Sequence, residues 1–191
     1  QLRFKHATIK RLFALAELDP ELILEPIGME EPWYYRNKME LSFGDNPQHP
    51  FALGFHPLGY RHDVLALQEC HLQSEFVSAF IPAYSAAVAE LEVPLYSMRT
   101  GEGFLKNLVL REGKRTGKWL VEVVTSSLET AVCSGQEAPA REVAERLCEV
   151  AEEVAAGRMG DLGVSGPSVA VAEALLNGGR YDAAADFLLR Q

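Results

Sequence analysis

An α+β fold, with an antiparallel sheet packed against helices, follows from changes of period along the chain. Two regions, 33–68 and 104–124, contain stretches that alternate side chains every second position, as half-buried strands do. Three others, 2–16, 72–91 and 137–156, repeat apolar residues every three to four positions, which predicts helices with one buried face. Turn residues divide the alternating regions into a three-stranded meander and a later hairpin.

The chain opens at Gln1 inside a helical pattern, which suggests a piece of a longer protein. Leu2, Phe4, Ile9, Leu12, Phe13 and Ala16 form the apolar stripe, with Arg3, Lys5, Lys10 and Arg11 opposite. Asp19-Pro20 ends it, because proline cannot continue the hydrogen-bond ladder. Residues 22–24 are expected as a short strand, and Pro26, Gly28 and Pro32 as a loop. From Trp33 the chain alternates: Tyr35, Asn37, Met39, Leu41 and Phe43 fall on one side, Tyr34, Arg36, Lys38, Glu40 and Ser42 on the other. Asp45-Asn46-Pro47 turns it, residues 51–56 return, and a turn at 57–61 leads to a third strand over 63–68.

Phe76, Phe80, Ala83, Ala87 and Leu91 mark a helix over 72–91 that covers the sheet, with Pro82 inside it. Residues 104–111 and 118–124 are two strands joined through 112–117. Strict alternation places Lys106 with Phe104, Leu108 and Leu110, and Arg111 with Leu105, Asn107 and Val109. Beyond residue 127 the chain reads as a mostly helical, acidic portion: a helix over 137–156, a loop, then helices over 168–176 and 181–189 separated by Asn177-Gly178-Gly179. Residues 1–127 and 128–191 are therefore expected as two parts.

Of the 191 residues 48% are hydrophobic, enough for one sizeable core. No apolar run approaches the roughly 20 residues of a membrane helix, and three scattered cysteines, Cys70, Cys133 and Cys148, form no disulfide framework. A cytoplasmic protein with no membrane partner is expected. The net charge of -9 is uneven, since residues 128–191 hold 11 acids and 5 bases. Between Leu95 and Lys118 six bases face only Glu102 and Glu112, a local cationic patch compatible with a polyanionic partner.

Three segments carry a family likeness: EPWYYRNKMELSFG (31–44), LGFHPLGYRHDVLALQECHLQ (53–73) and RTGEGFLKNLVLREGKRTG (99–117). They resemble, in the same order, the central domain of bacterial uracil-5 RNA methyltransferases, which make 5-methyluridine in ribosomal or transfer RNA from S-adenosylmethionine. The likeness runs from about Gln1 to Thr125. It implies structured RNA as partner, with Tyr35, Arg36, Asn37, Lys38, Arg99, Lys106, Arg111, Lys114 and Arg115 in the segments facing it. Cys70, in LQECHLQ, matches the fourth ligand of a four-iron, four-sulfur cluster found in some relatives. One thiolate cannot hold such a cluster, so none is expected here. No Gly-rich cofactor loop and no catalytic-loop cysteine is legible, so this chain is expected to bind neither S-adenosylmethionine nor to transfer methyl groups by itself.

Plainer readings stand beside these. A strand with a solvated polar face needs no ligand, and Trp33 and Tyr34 are equally explicable as core. His49, His56, His62 and His71 crowd near Cys70, but their spacing follows no zinc pattern. A non-catalytic protein-interaction module with an acidic helical tail is the alternative function. No Ser/His/Asp order, paired-carboxylate spacing or phosphate loop supports a self-contained small enzyme.

Overall fold

Residues 2–16 form helix α1 (Leu2–Leu15), as their spacing predicts. The structure, a computed structural model, describes residues 1–126, 130–161 and 169–175, of which 158–161 and 169–175 are described as backbone alone. The chain divides into two compact units, Gln1–Pro32 and Trp33–Gln191.

In the first unit no residue of α1 is buried, and Phe4 on its apolar stripe is 76% exposed. Where a short strand is expected over 22–24, a 3₁₀ turn, Pro20–Leu22, takes its place. The Asp19 carboxylate accepts the Glu21 amide at 2.9 Å and Pro20 supplies a fixed φ, so local capping closes the turn before any strand begins. Lys10 pairs with Glu21 at 3.2 Å, holding the turn against the helix.

The second unit is built on a six-stranded sheet. Its strands are β1 (Lys38–Asn46), β2 (His49–Phe55), β3 (Leu65–Ala66), β4 (Leu105–Gly113), β5 (Lys118–Thr125) and, at residues Val169–Leu175, the strand numbered β8 below. The spatial order is β3, β2, β1, β4, β5, β8. Neighbours pair antiparallel through β5, as the meander and hairpin require. Helix α2 (Glu75–Ala89) follows β3, and a hairpin of β6 (Thr130–Cys133) and β7 (Gln136–Pro139) precedes helix α3 (Ala140–Asp161).

Alternation on β1 decides which face meets the helices. Met39, Leu41 and Phe43 are buried, while Lys38 and Glu40 are exposed on the opposite side. Helix α2 lays Phe76, Val77, Phe80, Ile81, Tyr84 and Val88 over the buried side. Phe76, Phe80 and Tyr84 stack in succession at 5.3 Å between centroids, with Trp119 of β5 4.5 Å from Phe76. Burying one such ring stabilises the fold by about 1.5–3 kcal/mol. Helix α3 joins the same core through Val143, Ala144, Leu147, Val150 and Ala151. The Tyr84 hydroxyl donates to the Leu147 carbonyl at 3.2 Å, linking the two helices. Burial pushes that hydroxyl's pKa well above its ordinary value, with Cys148 adding to the shift.

Three expectations need correction. The helix expected over 168–176 is instead strand β8, parallel to β5 from Trp119↔Val169 to Thr125↔Leu175. A parallel pair needs a long crossover, and α3 lies in the connection. The acidic portion therefore contains strands β6, β7 and β8 as well as a helix, and residues 181–189 lie outside the described residues. The opening strand begins at Lys38, not at Trp33, because Tyr34 adopts φ 53°, a left-handed conformation that interrupts an extended chain. Residues 33–36 instead run beside 71–72, with the amides of Tyr34 and Arg36 donating to the carbonyls of His71 and Leu72 at 2.8 Å. No helix among the described residues is long and apolar enough to cross a membrane.

Candidate functional site

The polar side of β1 and β4 is the face that α2 leaves uncovered, and cross-strand register assembles it. Lys38 pairs with Arg111, Glu40 with Val109 and Ser42 with Asn107. Residues directly opposite one another share a face, so Lys38 and Arg111 form a cationic pair at one end of it. Lys38 also meets Glu40 at 3.1 Å, an exposed contact that solvent screens. Lys114 meets Glu112 at 2.6 Å in the β4–β5 turn, near Arg115. Tyr35, Arg36 and Asn37 precede β1, and the Asn37 carbonyl accepts the Glu112 amide at 2.8 Å, bringing the two segments together. Trp33, Tyr34 and Tyr35 are all exposed, although burial in the core is the alternative reading of the first two.

At the other end of the face, strict alternation fails at Lys106. The β4–β5 register slips between Leu105 and Asn107, making Lys106 the extra residue of a bulge. The lysine therefore does not join Leu108 and Leu110 in the core, where unbroken period two places it; it lines a cleft with Ser42 and Asn107. Its ammonium stands over the Tyr96 ring, 4.1 Å from the centroid.

That cleft has a volume of about 680 Å³ and is walled by two loops. One loop, residues 56–64, supplies Arg61 and two of the histidines, His56 and His62. His56 is fixed by the Asp63 carbonyl at 2.9 Å and the Ser42 hydroxyl at 3.1 Å. A carbonyl only accepts, so Nδ1 carries the proton that faces Asp63. Strand β3, which follows the loop, lies close on β2 because Gly54 has no Cβ; one there would strike the Leu65 carbonyl. The other loop supplies Tyr96 and Arg99. Tyr96 is anchored by its amide to the Leu105 carbonyl, and the tip is closed by Ser97 donating to Glu102, both at 2.8 Å. Gly103, at φ 96°, lets the chain re-enter β4 against the Leu95 carbonyl.

Electrostatically the cleft is positive. Arg61, Arg99 and Lys106 line it against one carboxylate, Asp45. None of the three cations makes an ion pair with a described residue. Helix α3 carries its own ion pairs, Arg141 with Glu145 and Arg146 with Glu149 and Glu153. Thus Lys106 and Arg99 come together at the cleft, whereas Lys38 and Arg111 form a second group four positions along the strands, about 13 Å away. Arg61, Tyr96 and the cleft histidines are additions that the linear reading did not place. For Arg61 and the histidines the signal is the 56–62 segment, whose histidines draw attention to metal instead; Tyr96 has none.

Cys70 is buried in the core, its amide donating to the Ser78 hydroxyl at 3.0 Å. Among the described residues no three His, Cys, Asp or Glu side chains gather as metal ligands, so the thiol does not fit an iron–sulfur cluster by itself. Strand β7 runs into α3 through Ala138-Pro139-Ala140 without a glycine, which does not fit a Gly-rich nucleoside-cofactor loop.

No family model matches the chain. It is 35% identical over 128 residues to an uncharacterized RNA methyltransferase of Clostridium tetani. It is also 34% identical over 125 residues to one of Caldanaerobacter subterraneus, and 29% identical over 130 residues to one of Staphylococcus aureus. The matches cover 66, 62 and 66% of this chain respectively, and 28% of each relative, so the chain spans little more than a quarter of their length. Among solved structures, the Pyrococcus abyssi tRNA (uracil-54, C5)-methyltransferase in complex with S-adenosyl-L-homocysteine aligns with a TM-score of 0.52. That alignment covers 66% of this chain and 29% of the other, at 23% identity, and shows a shared fold.

Proposed function

We propose, from the premise that this chain belongs, through the 66% of its length that matches, to a family of RNA methyltransferases, that it is the RNA-recognising part of a uracil-5 RNA methyltransferase. The observation that carries this reading is the cationic cleft at one end of the sheet face opposite α2, where Arg61, Arg99 and Lys106 stand against one carboxylate, Asp45. Lys38 and Arg111 stand at the other end of that face, which Glu40 and Glu122 share. A polyanion approaching the strands thus meets Lys38, Arg111 and the cationic cleft. Exposed Tyr35 offers a face for stacking on an unpaired base, beside Trp33 and Tyr34, which meet His71 edge-on.

In this reading Tyr35, Arg36, Asn37 and Lys38 contact RNA together with Arg99, Lys106, Arg111, Lys114 and Arg115. The substrate is structured ribosomal or transfer RNA, in the cytoplasm. The methyl group comes from S-adenosylmethionine, in keeping with the S-adenosyl-L-homocysteine held by the Pyrococcus enzyme. No catalytic role is assigned to Cys70, Cys133 or Cys148.

The test is fluorescence anisotropy with a labelled structured RNA fragment at low and high salt. Binding that weakens steeply with salt, and that Arg36→Ala with Lys38→Ala weakens further, supports the reading. Salt-insensitive binding unchanged in that double variant overturns it. Should the chain capture no RNA yet bind a protein partner through α3, the interaction-module reading takes its place.

A further inference from the structure

We infer that the cleft bounded by residues 56–64 and 95–100 is a seat for an unpaired nucleotide and its flanking phosphates, distinct in role from the open cationic pair of Lys38 and Arg111. The inference rests on the RNA reading above and adds which form of RNA this end of the sheet accepts.

Size comes first. At about 680 Å³ the cleft falls within the range of small-ligand sites, roughly 300–1,000 Å³. It is walled by loops on two sides, so a rigid duplex can lie across its mouth but not enter it. A single strand can turn a base inward.

The chemistry of the walls matches that shape. Arg61 and Arg99 project from different loops, exposed and without a carboxylate partner among the described residues, and each guanidinium can grip a phosphate through two parallel N–H donors. Asn107 uses its amide nitrogen on the Leu41 carbonyl at 3.3 Å and on the Ser42 hydroxyl at 3.2 Å. The Leu41 carbonyl can only accept, so the orientation of the amide is settled, and its oxygen has no donor among the described residues. An acceptor at the floor of the cleft suits the N–H edge of a base.

Lys106 supplies the moving part. Resting over Tyr96, it is held by no carboxylate of a described residue, and a cation on a half-buried ring is held less strongly than one bonded to a phosphate. An entering strand therefore draws the ammonium from the ring to its phosphate, and the vacated face of Tyr96 becomes a platform for the base. Ring and lysine act in turn on the same nucleotide.

The full chain is titrated by anisotropy against labelled single-stranded octauridylate and against a blunt RNA duplex. For Arg61→Ala with Arg99→Ala, octauridylate affinity is expected to fall about tenfold or more, as charge-assisted contacts are lost, while duplex affinity falls about threefold or less. Arg61→Lys with Arg99→Lys, which keeps the charge and removes the forks, is expected to recover only part of the loss. Lys38→Ala with Arg111→Ala is expected to reverse the order, affecting the duplex more. Circular dichroism verifies that each variant is folded. Equal losses for both RNAs, or octauridylate binding untouched by the Arg61 and Arg99 changes, overturn the inference and leave the RNA reading standing. Binding of neither RNA by the unsubstituted chain overturns both.

Discussion

Lys106 lies with its ammonium 4.1 Å from the centre of the Tyr96 ring, a contact that joins the bulge of β4 to the loop before it. Such a pair, half-buried as it is here, is worth about 0.5–2 kcal/mol, a modest part of whole-domain stability. Tyr96→Leu is therefore expected to shift a urea midpoint only slightly while lowering octauridylate affinity about fivefold or more. Tyr96→Phe, which keeps the ring, should bind almost as the parent does. Equal binding by the leucine and phenylalanine variants in the anisotropy titration would remove the ring from the site.

The opposite end of the face makes a different prediction because Lys38 is already engaged by Glu40 at 3.1 Å. Glu40→Gln should release the ammonium and raise duplex affinity about two- to fivefold at low salt, the worth of an exposed ion pair. Removing Lys38 and Arg111 together should reduce the slope of log K against log salt by about 1.5–2, one phosphate contact per cation. An unchanged slope would mean that neither side chain neutralises a phosphate.

Tyr84 sets an alkaline limit. Its folded-state pKa is raised by burial first and by Cys148 second, while in the unfolded chain it titrates near 10. Above that unfolded value the unfolded chain loses a proton that the folded chain keeps, so unfolding becomes easier as pH rises. The contribution is present in full below pH ~10 and declines by at most about 1.4 kcal/mol per pH unit above it, until the folded pKa is reached. Tyr84→Phe should cost about 1 kcal/mol at neutral pH, through the hydrogen bond to Leu147, and should flatten the alkaline decline. Parallel urea titrations from pH 8 to 11 measure both; parent and variant curves that stay parallel would contradict this.

Gly103 holds the Arg99 loop in place. With φ 96° and the Leu95 carbonyl where a Cβ would stand, Gly103→Ala is expected to destabilise by about 1–3 kcal/mol and to displace Tyr96 and Arg99. The variant should lose octauridylate affinity even where it remains folded, with duplex binding less affected. An alanine variant of parent stability and affinity would show that this backbone carries no strain.

How far the sequence is legible depends on whether a local rule meets a competing one. Met39, Leu41 and Phe43 alternate cleanly into the core because nothing interrupts β1 there, and Phe76 and Phe80 mark the buried face of α2 by spacing alone. Lys106 escapes the same rule because a bulge is a property of pairing between two strands, not of either one. Residues 169–175, VAVAEAL, contain three alanines that favour a helix, yet pairing with β5 makes them a strand. The cleft is the least legible feature, since Arg61, Tyr96 and Asn107 belong to three separate segments and only the fold brings them to one wall.

The parallel attachment of β8 fixes a ruler across this molecule. Three strand spacings, about 14 Å, separate β1 from β8. On the RNA reading proposed above, a nucleotide held beside Ser42 would lie at least that far from anything bound past β8, so the width of the sheet would set the offset between them.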